Sequence, residues 1–191
     1  ACEQTKEGVV IDPGDDATRI LGEIEANDIK IKYILNTHAH FDHIGANEIL
    51  KRRLKAPIAL HPLDLPILKE KGGAAVFGLD AAQSPEPDMD LSEGLLLEFG
   101  GCSLRVLFTP GHTPGHVSFH ERNQKILFDG DVLFDGGIGR TDIPGGDPEA
   151  IMHSIKEVLF ALPDETIVYS GHGNPTTIGR EKSTNPWIGL E

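Results

Sequence analysis

Short apolar runs alternate along this chain with polar clusters rich in Gly, Pro and Asp, and with stretches of helical period. Residues 8–12 and 31–35 read as strands, and residues 12–16 (Asp-Pro-Gly-Asp-Asp) read as a turn. Between them, 17–27 predicts a helix, because Ile20, Leu21 and Ile24 fall on one face. A second helix is expected over 45–54 and a strand over 58–60. Residues 62–72 read as a helix broken by Pro62 and Pro66, each of which lacks the N–H a helix interior needs. Residues 72–94 carry Gly, Pro, Asp and Ser and predict a long loop, a kind that is usually functional or disordered. Strands follow at 95–99, 102–108, 116–120, 125–128 and 132–134. Asp147-Pro148 is a helix start, with Asp as N-cap and Pro at the first helical position. Ile151, Ile155, Val158, Leu159 and Leu162 form the apolar face of that helix, and strand 166–170 closes the core. No internal repeat occurs. Strands grouped between helices predict an α/β or α+β fold with a large sheet.

Four polar clusters sit just past apolar runs. Thr37-His38-Ala39-His40-Phe41-Asp42-His43 follows strand 31–35. Thr109-Pro110-Gly111-His112-Thr113-Pro114-Gly115-His116 follows 104–108, Asp129-Gly130-Asp131 follows 125–128, and Ser170-Gly171-His172-Gly173 follows 166–169. Strand ends gathered at one sheet edge are where ligands meet, and Gly there lets backbone approach closely. Three imidazoles and a carboxylate within one heptapeptide are hard to explain by packing. Neutral imidazole and carboxylate suit zinc, iron or manganese.

In that order the clusters resemble the signature of the metallo-β-lactamase fold superfamily. Within it the chain is most similar to glyoxalase II, the hydroxyacylglutathione hydrolases, and to their short single-domain bacterial relatives. The resemblance covers nearly the whole chain. It implies a four-layer αββα sandwich, a single domain over 1–191 with its first N-terminal strand cut, and a site at the edge of the sandwich between the sheets. It implies two divalent metal ions, zinc ahead of iron or manganese. His38, His40 and His112 would hold one, Asp42, His43 and His172 the other, and Asp131 would bridge them. The catalytic carboxylates, Asp42 and Asp131, would then act through the metal-bound hydroxide. With two ions, two carboxylates and that hydroxide, the set keeps a formal charge of about +1, which favours hydroxide attack on a carbonyl. No Ser-His-Asp triad is required, and neither cysteine has ligand or nucleophile context.

Other polar residues take supporting roles in this reading. His116 is expected to orient His112 or to cap its loop, and Asp12 to accept hydrogen bonds from the first ligand loop. Asp129 is expected to be solvated or hydrogen-bonded rather than a ligand, and His153 to lie on a helix surface.

The resemblance points to thioester hydrolysis, with S-lactoylglutathione or a related hydroxyacyl thioester as substrate. Arg140, nine positions after Asp131, falls where glyoxalase II has a basic residue on the glutathione backbone. It is expected either to grip a substrate carboxylate bidentately or to brace its glycine-rich loop. The larger glyoxalase II enzymes add a C-terminal helical domain, whereas here only a short tail, 176–190, follows. A mononuclear iron persulfide dioxygenase is the alternative, with His38, His112 and Asp131 as its triad; His172 in a GHG context favours the hydrolase. A non-catalytic protein on this fold is the third class, disfavoured because all seven ligands are intact.

Composition narrows the partners. The formal net charge of −13 disfavours nucleic-acid and anionic-membrane partners, which need a basic footprint. The one basic run, Lys51-Arg52-Arg53-Leu54-Lys55, fits the solvated face of a helix. Two cysteines, Cys2 and Cys102, fall short of a disulfide framework and are expected as reduced thiols, which with the lack of a visible secretory signal places the chain in the cytoplasm. No apolar run reaches the ~18–20 residues of a membrane span.

Overall fold

The computed structural model describes residues 1–188, which cluster into two compact units. The first comprises Ala1–Leu91 and Leu97–Ser103. Its elements run β1 (Glu7–Ile11), α1 (Ala17–Ala26), β2 (Lys30–Leu35), α2 (Phe41–Ile44), α3 (Asn47–Leu54), β3 (Ile58–Leu60), α4 (Leu65–Lys69) and β4 (Met89–Asp90). The four strands form a parallel sheet in chain order. Parallel neighbours need a crossover, which α1 supplies between β1 and β2 and α2–α3 between β2 and β3. Ile34, Leu50 and Ile58 bury one helix–sheet core; Ala39, Ile44, Leu60 and Leu68 form a second.

The helix expected over 45–54 is preceded by the separate turn α2, which carries Asp42 and His43. The break has a steric cause. Gly45 lies so close to residue 14 that a Cβ would sit 2.1 Å from the Gly14 carbonyl oxygen, and the Ala46 N–H donates to the Pro13 carbonyl at 2.9 Å. The expected 72–94 loop is ordered at both ends. Lys71–Phe77 winds as 3₁₀ turns, and Met89–Asp90 joins the sheet as β4.

The second unit comprises Ser92–Leu96 and the chain from Leu104 onward. The six-stranded sheet, of which β7, β8, β11, β12 and most of β6 belong to this unit, has the order β12-β11-β8-β7-β6-β5, from β5 (Leu96–Phe99), β6 (Cys102–Phe108), β7 (Val117–Glu121), β8 (Ile126–Gly130), β11 (Ile167–Ser170) and β12 (Thr176–Thr177). A two-stranded ribbon, β9 (Leu133–Phe134) with β10 (Gly137–Ile138), follows β8. Helix α5 (Pro148–His153) starts as expected, with Asp147 accepting from the N–H groups of Glu149 and Ala150, and continues as a π turn over Ser154–Leu159. Its face of Ile151, Ile155 and Leu159 packs on Leu127, Val168 and Ile178. The last helix, α6 (Ile178–Thr184), falls within the expected tail.

Strand directions decide where the polar clusters go in this unit. β6 and β8 both run antiparallel to β7, and β11 runs parallel to β8 with Ser170 opposite Gly130. The C-terminal ends of β6, β8 and β11 therefore share one edge, and His112, Asp131 and His172 follow those ends. Among the described residues no helix is long and apolar enough to cross a membrane.

Candidate metal centre

In the first unit the ligand loop leaves the end of β2 and is anchored by Asp12, just past β1. Asp12 takes the left-handed conformation (φ 47°), which Asp tolerates better than most residues. Its carboxylate accepts from the Thr37 N–H at 2.7 Å, from Thr37 Oγ1 at 2.6 Å and from His43 Nδ1 at 3.0 Å. This is the supporting role expected from its place at a strand end. Because the Thr37 hydroxyl gives its one proton to Asp12, it can only accept from His38 Nδ1, which lies 2.9 Å away. Both imidazoles thus carry their proton on Nδ1 and present a lone pair on Nε2.

The rest of the loop is held by buried groups. Ala39 N–H donates to Asp64 Oδ2 at 2.9 Å, Asn36 Nδ2 donates to the His43 carbonyl at 3.1 Å, and Asn47 Nδ2 donates to Asn36 Oδ1 at 2.9 Å. Asp64, Asn36 and Asn47 are all fully buried. Backbone packs directly on the loop as well. A Cβ on Gly14 would meet the Asp42 carbonyl oxygen at 1.7 Å, and one on Gly72 (φ 67°) would meet the Phe41 nitrogen at 2.3 Å. So confined, the rings of His38, His40 and His43 gather, with centroids 4.8 Å apart for His38–His40 and 4.1 Å for His38–His43. His38, His40 and His43 are buried, whereas the Asp42 side chain is 39% exposed. Asp12 also lies within ligand distance of His38 and His43, but both its oxygens already accept hydrogen bonds, so it acts as an anchor.

In the second unit Asp131 lies between two imidazoles. Its Oδ2 is 3.6 Å from His112 Nε2 and 3.5 Å from His172 Nε2. His112 Nδ1 donates to the Arg140 carbonyl at 2.8 Å; a carbonyl only accepts, so this ring too presents Nε2. Asp131 and His112 are buried, and the His172 side chain is 56% exposed. His116 caps, and its ring meets that of His112 edge to face. Its Nε2 accepts the Asp131 N–H at 3.1 Å and its Nδ1 meets Thr109 Oγ1 at 3.0 Å. That ring has both nitrogens engaged, and its centroid is 6.3 Å from that of His112.

Asp129 is the hydrogen-bonded form of the two expected for it. It is fully buried, accepting from Ser118 Oγ at 3.0 Å and from the Leu133 N–H at 2.6 Å. Burial pushes its carboxyl up to about 7, with the neighbouring Asp131 adding to the rise and the two hydrogen bonds opposing it. The Arg140 guanidinium forks onto Asp142 (Nε 2.7 Å, Nη2 2.9 Å) in the open, the two side chains being 52% and 71% exposed. His153 is exposed on α5, as expected. Sequence reasoning did not find Asp64 or the Arg140 carbonyl. A lone Asp in a proline-rich turn and a backbone oxygen leave no motif.

The family model described as the metallo-beta-lactamase superfamily matches residues 3–172, a span holding every one of these groups. The chain belongs to the metallo-β-lactamase superfamily. Among relatives in this superfamily, the hydroxyacylglutathione hydrolase GloC of Haemophilus influenzae is 41% identical over 97% of this chain and 89% of its own length. The crystal structure of TTHA1623 in a di-iron-bound form is 44% identical over 93% of this chain and 87% of that one, with a TM-score of 0.86. The BLEG-1 B3 metallo-beta-lactamase is 38% identical over 97% and 90%, with a TM-score of 0.89. The chain is thus a metal-dependent hydrolase of metallo-β-lactamase fold, bearing His/Asp clusters suited to divalent metal.

Proposed function

We propose that the protein is a dinuclear metallohydrolase that cleaves a thioester, S-lactoylglutathione or a related hydroxyacyl thioester. In this reading His38, His40 and His112 hold one divalent ion, Asp42, His43 and His172 hold the second, and Asp131 spans the two, with zinc the preferred metal. The observation that carries it is the placing of Asp131 Oδ2 at 3.6 and 3.5 Å from two imidazole Nε2 atoms. Those separations exceed the ~2.7–3.2 Å of a hydrogen bond. They approach the roughly 3.3–3.4 Å between two ligands of one tetrahedral zinc with bonds of ~2.0–2.1 Å. The donor chemistry fits as well, because Nδ1 of His38, His43 and His112 is held by an oxygen and Nε2 is left as the donor. The similarity to a hydroxyacylglutathione hydrolase supports the thioester class.

Divalent ions held by these residues would supply a Lewis acid for a carbonyl and would bring the pKa of water to about 7. The chain's own residues do the rest. Asp12, Thr37 and the Arg140 carbonyl keep the protons of His43, His38 and His112 on Nδ1, and Asp42 and Asp131 supply negative charge to the donor set. Asp42 and His172 are its exposed members, where substrate arrives. Arg140 receives a substrate carboxylate in exchange for Asp142; that pair is solvent-exposed and weakly held, so the exchange is cheap.

The test is metal analysis of protein purified without added metal, paired with an S-lactoylglutathione assay. Two metal equivalents per chain with release of free thiol are expected. One iron per chain with oxygen uptake on glutathione persulfide would overturn the reading in favour of a dioxygenase. Turnover of a β-lactam but not of the thioester would overturn the substrate class.

A further inference from the structure

The segment from Asp131 to Arg140 is a hairpin with both feet in the candidate metal centre. One foot is Asp131. The other is Arg140, whose carbonyl accepts the His112 Nδ1 proton. The β9–β10 pairing sets Leu133 opposite Ile138 and Phe134 opposite Gly137, and the Gly139 N–H donates to the Val132 carbonyl at 3.0 Å. At the feet the strands touch, since a Cβ on Gly139 would lie 1.9 Å from the Asp131 carbonyl oxygen. So short a ribbon is marginal by itself and needs an outside partner to fix its position.

Helix α6 and the residue after it provide that partner at the tip. Glu181 is fully buried, and its carboxylate takes three donors: the Gly136 N–H at 3.0 Å, Asn185 Nδ2 at 2.8 Å and Thr176 Oγ1 at 2.5 Å. Asn185, also buried, donates to the Gly137 carbonyl at 3.0 Å. Arg180 adds an ion pair to Asp135 at 2.8 Å. Three consecutive tip residues are thus held by one helix end. A buried carboxylate is costly unless fully hydrogen-bonded, and this one spends its acceptors on the hairpin and on the residues that hold it.

We propose that Glu181 and Asn185 are positioning residues for His112, acting through the 131–140 hairpin. The proposal rests on the reading above that His112 is a metal ligand. Removing the Glu181 carboxylate frees the tip, the Arg140 carbonyl shifts, and His112 loses the acceptor that fixes its tautomer and ring angle. Glu181→Gln is the conservative control. Its amide oxygen can face Gly136 and Asn185 while its NH₂ group faces Thr176, whose hydroxyl turns to accept.

The experiment uses the full chain with ¹⁵N-labelled histidine. Solvent exchange of the His112 Nδ1–H is followed by NMR in metal-free protein, and zinc affinity is measured by chelator competition. In Glu181→Ala we expect exchange to quicken and zinc binding to weaken, each about tenfold, the lower end for groups that orient a metal-binding histidine. Glu181→Gln should restore most of both. Wild-type exchange and affinity in Glu181→Ala, with only the melting temperature lowered, would overturn the proposal. Faster exchange with unchanged affinity would uphold the positioning role and remove His112 from the ligand set. Should Glu181→Ala not fold, Asn185→Ala carries the same test, because it removes the Gly137 contact and only one of the three donors to Glu181.

Discussion

Replacing Asp12 by Asn tests the anchoring of the first ligand loop with little backbone disturbance, since Asn also tolerates the left-handed conformation found there (φ 47°). One side-chain oxygen can still accept the Thr37 N–H. The other becomes an NH₂ group facing the Thr37 hydroxyl and His43 Nδ1, where both present contacts need an acceptor. His43 must then accept at Nδ1, which moves its proton to Nε2, or rotate away. Either change withdraws the nitrogen proposed to bind metal. Two hydrogen bonds to a charged group are lost, each worth ~1.5–3 kcal/mol, and the Thr37 hydroxyl recovers part by turning to accept. For the ion held by His43 the expected loss is about 10–100-fold in affinity, or ~1.4–2.7 kcal/mol. The assay is chelator competition on wild type and Asp12→Asn, beside melting curves of the metal-free proteins. Affinity within twofold of wild type in a folded variant would refute the tautomer argument.

Arg140→Ala should raise KM for a glutathione thioester about tenfold or more and leave a small neutral thioester little changed; equal losses on both, with a lowered melting temperature, would make Arg140 a loop brace instead. Asp131→Ala should abolish metal retention in a folded protein, whereas Asp129→Ala should chiefly lower the melting temperature, by stranding the Leu133 N–H and removing one acceptor from Ser118 Oγ; metal analysis and melting of both variants separate the two aspartates. Burial holds the His120 imidazole below its ordinary 6.5. The unfolded chain therefore takes up a proton first, so stability is complete above that value and is lost as pH falls below it; stability against pH should flatten there in His120→Gln. Gly72→Ala should cost more than Gly73→Ala, because both have positive φ (67° and 71°) but only the first places a Cβ against the Phe41 nitrogen, at 2.3 Å; denaturant titration of the pair tests this.

The main strands and the clusters beyond them were legible because each is a local pattern: an apolar run, then Gly or Pro, then His or Asp. The helix opening at Asp147-Pro148 was legible for the same reason, since its N-cap chemistry lies within four residues. What escaped is non-local or too short to have a period. Strands β4, β10 and β12 have two residues each and exist only through their partners. The break before α3 is enforced by Gly14, far back along the chain. Glu181 lies in a short polar tail with no motif around it, yet it is buried with its oxygens on the hairpin tip. Asp12 was legible as an acceptor from its place at a strand end, but its three partners were not.

The proton-bearing nitrogens of His43 and His112 are answered by groups 31 and 28 positions away, and Ala39, between two of the histidines, by Asp64 at 25. In the proposed centre, ligand geometry is therefore set by the tertiary fold of each unit and not by the heptapeptide that carries most of the donors. An unfolded chain would hold the same imidazoles in mixed tautomers and unfixed directions, with little affinity for an ion. Metal binding must then favour the folded state by the whole difference in affinity, which at a free concentration 100-fold above Kd is about 2.7 kcal/mol per site. On the proposed ligand set, a substitution that loosens Asp12 or Asp64 should act first on metal affinity and through it on the reaction. This is why the variants above are read by chelator competition before turnover. A loss of activity alone cannot separate a displaced ligand from a damaged substrate contact, whereas the affinity of the folded protein for its ion reports the ligand geometry directly.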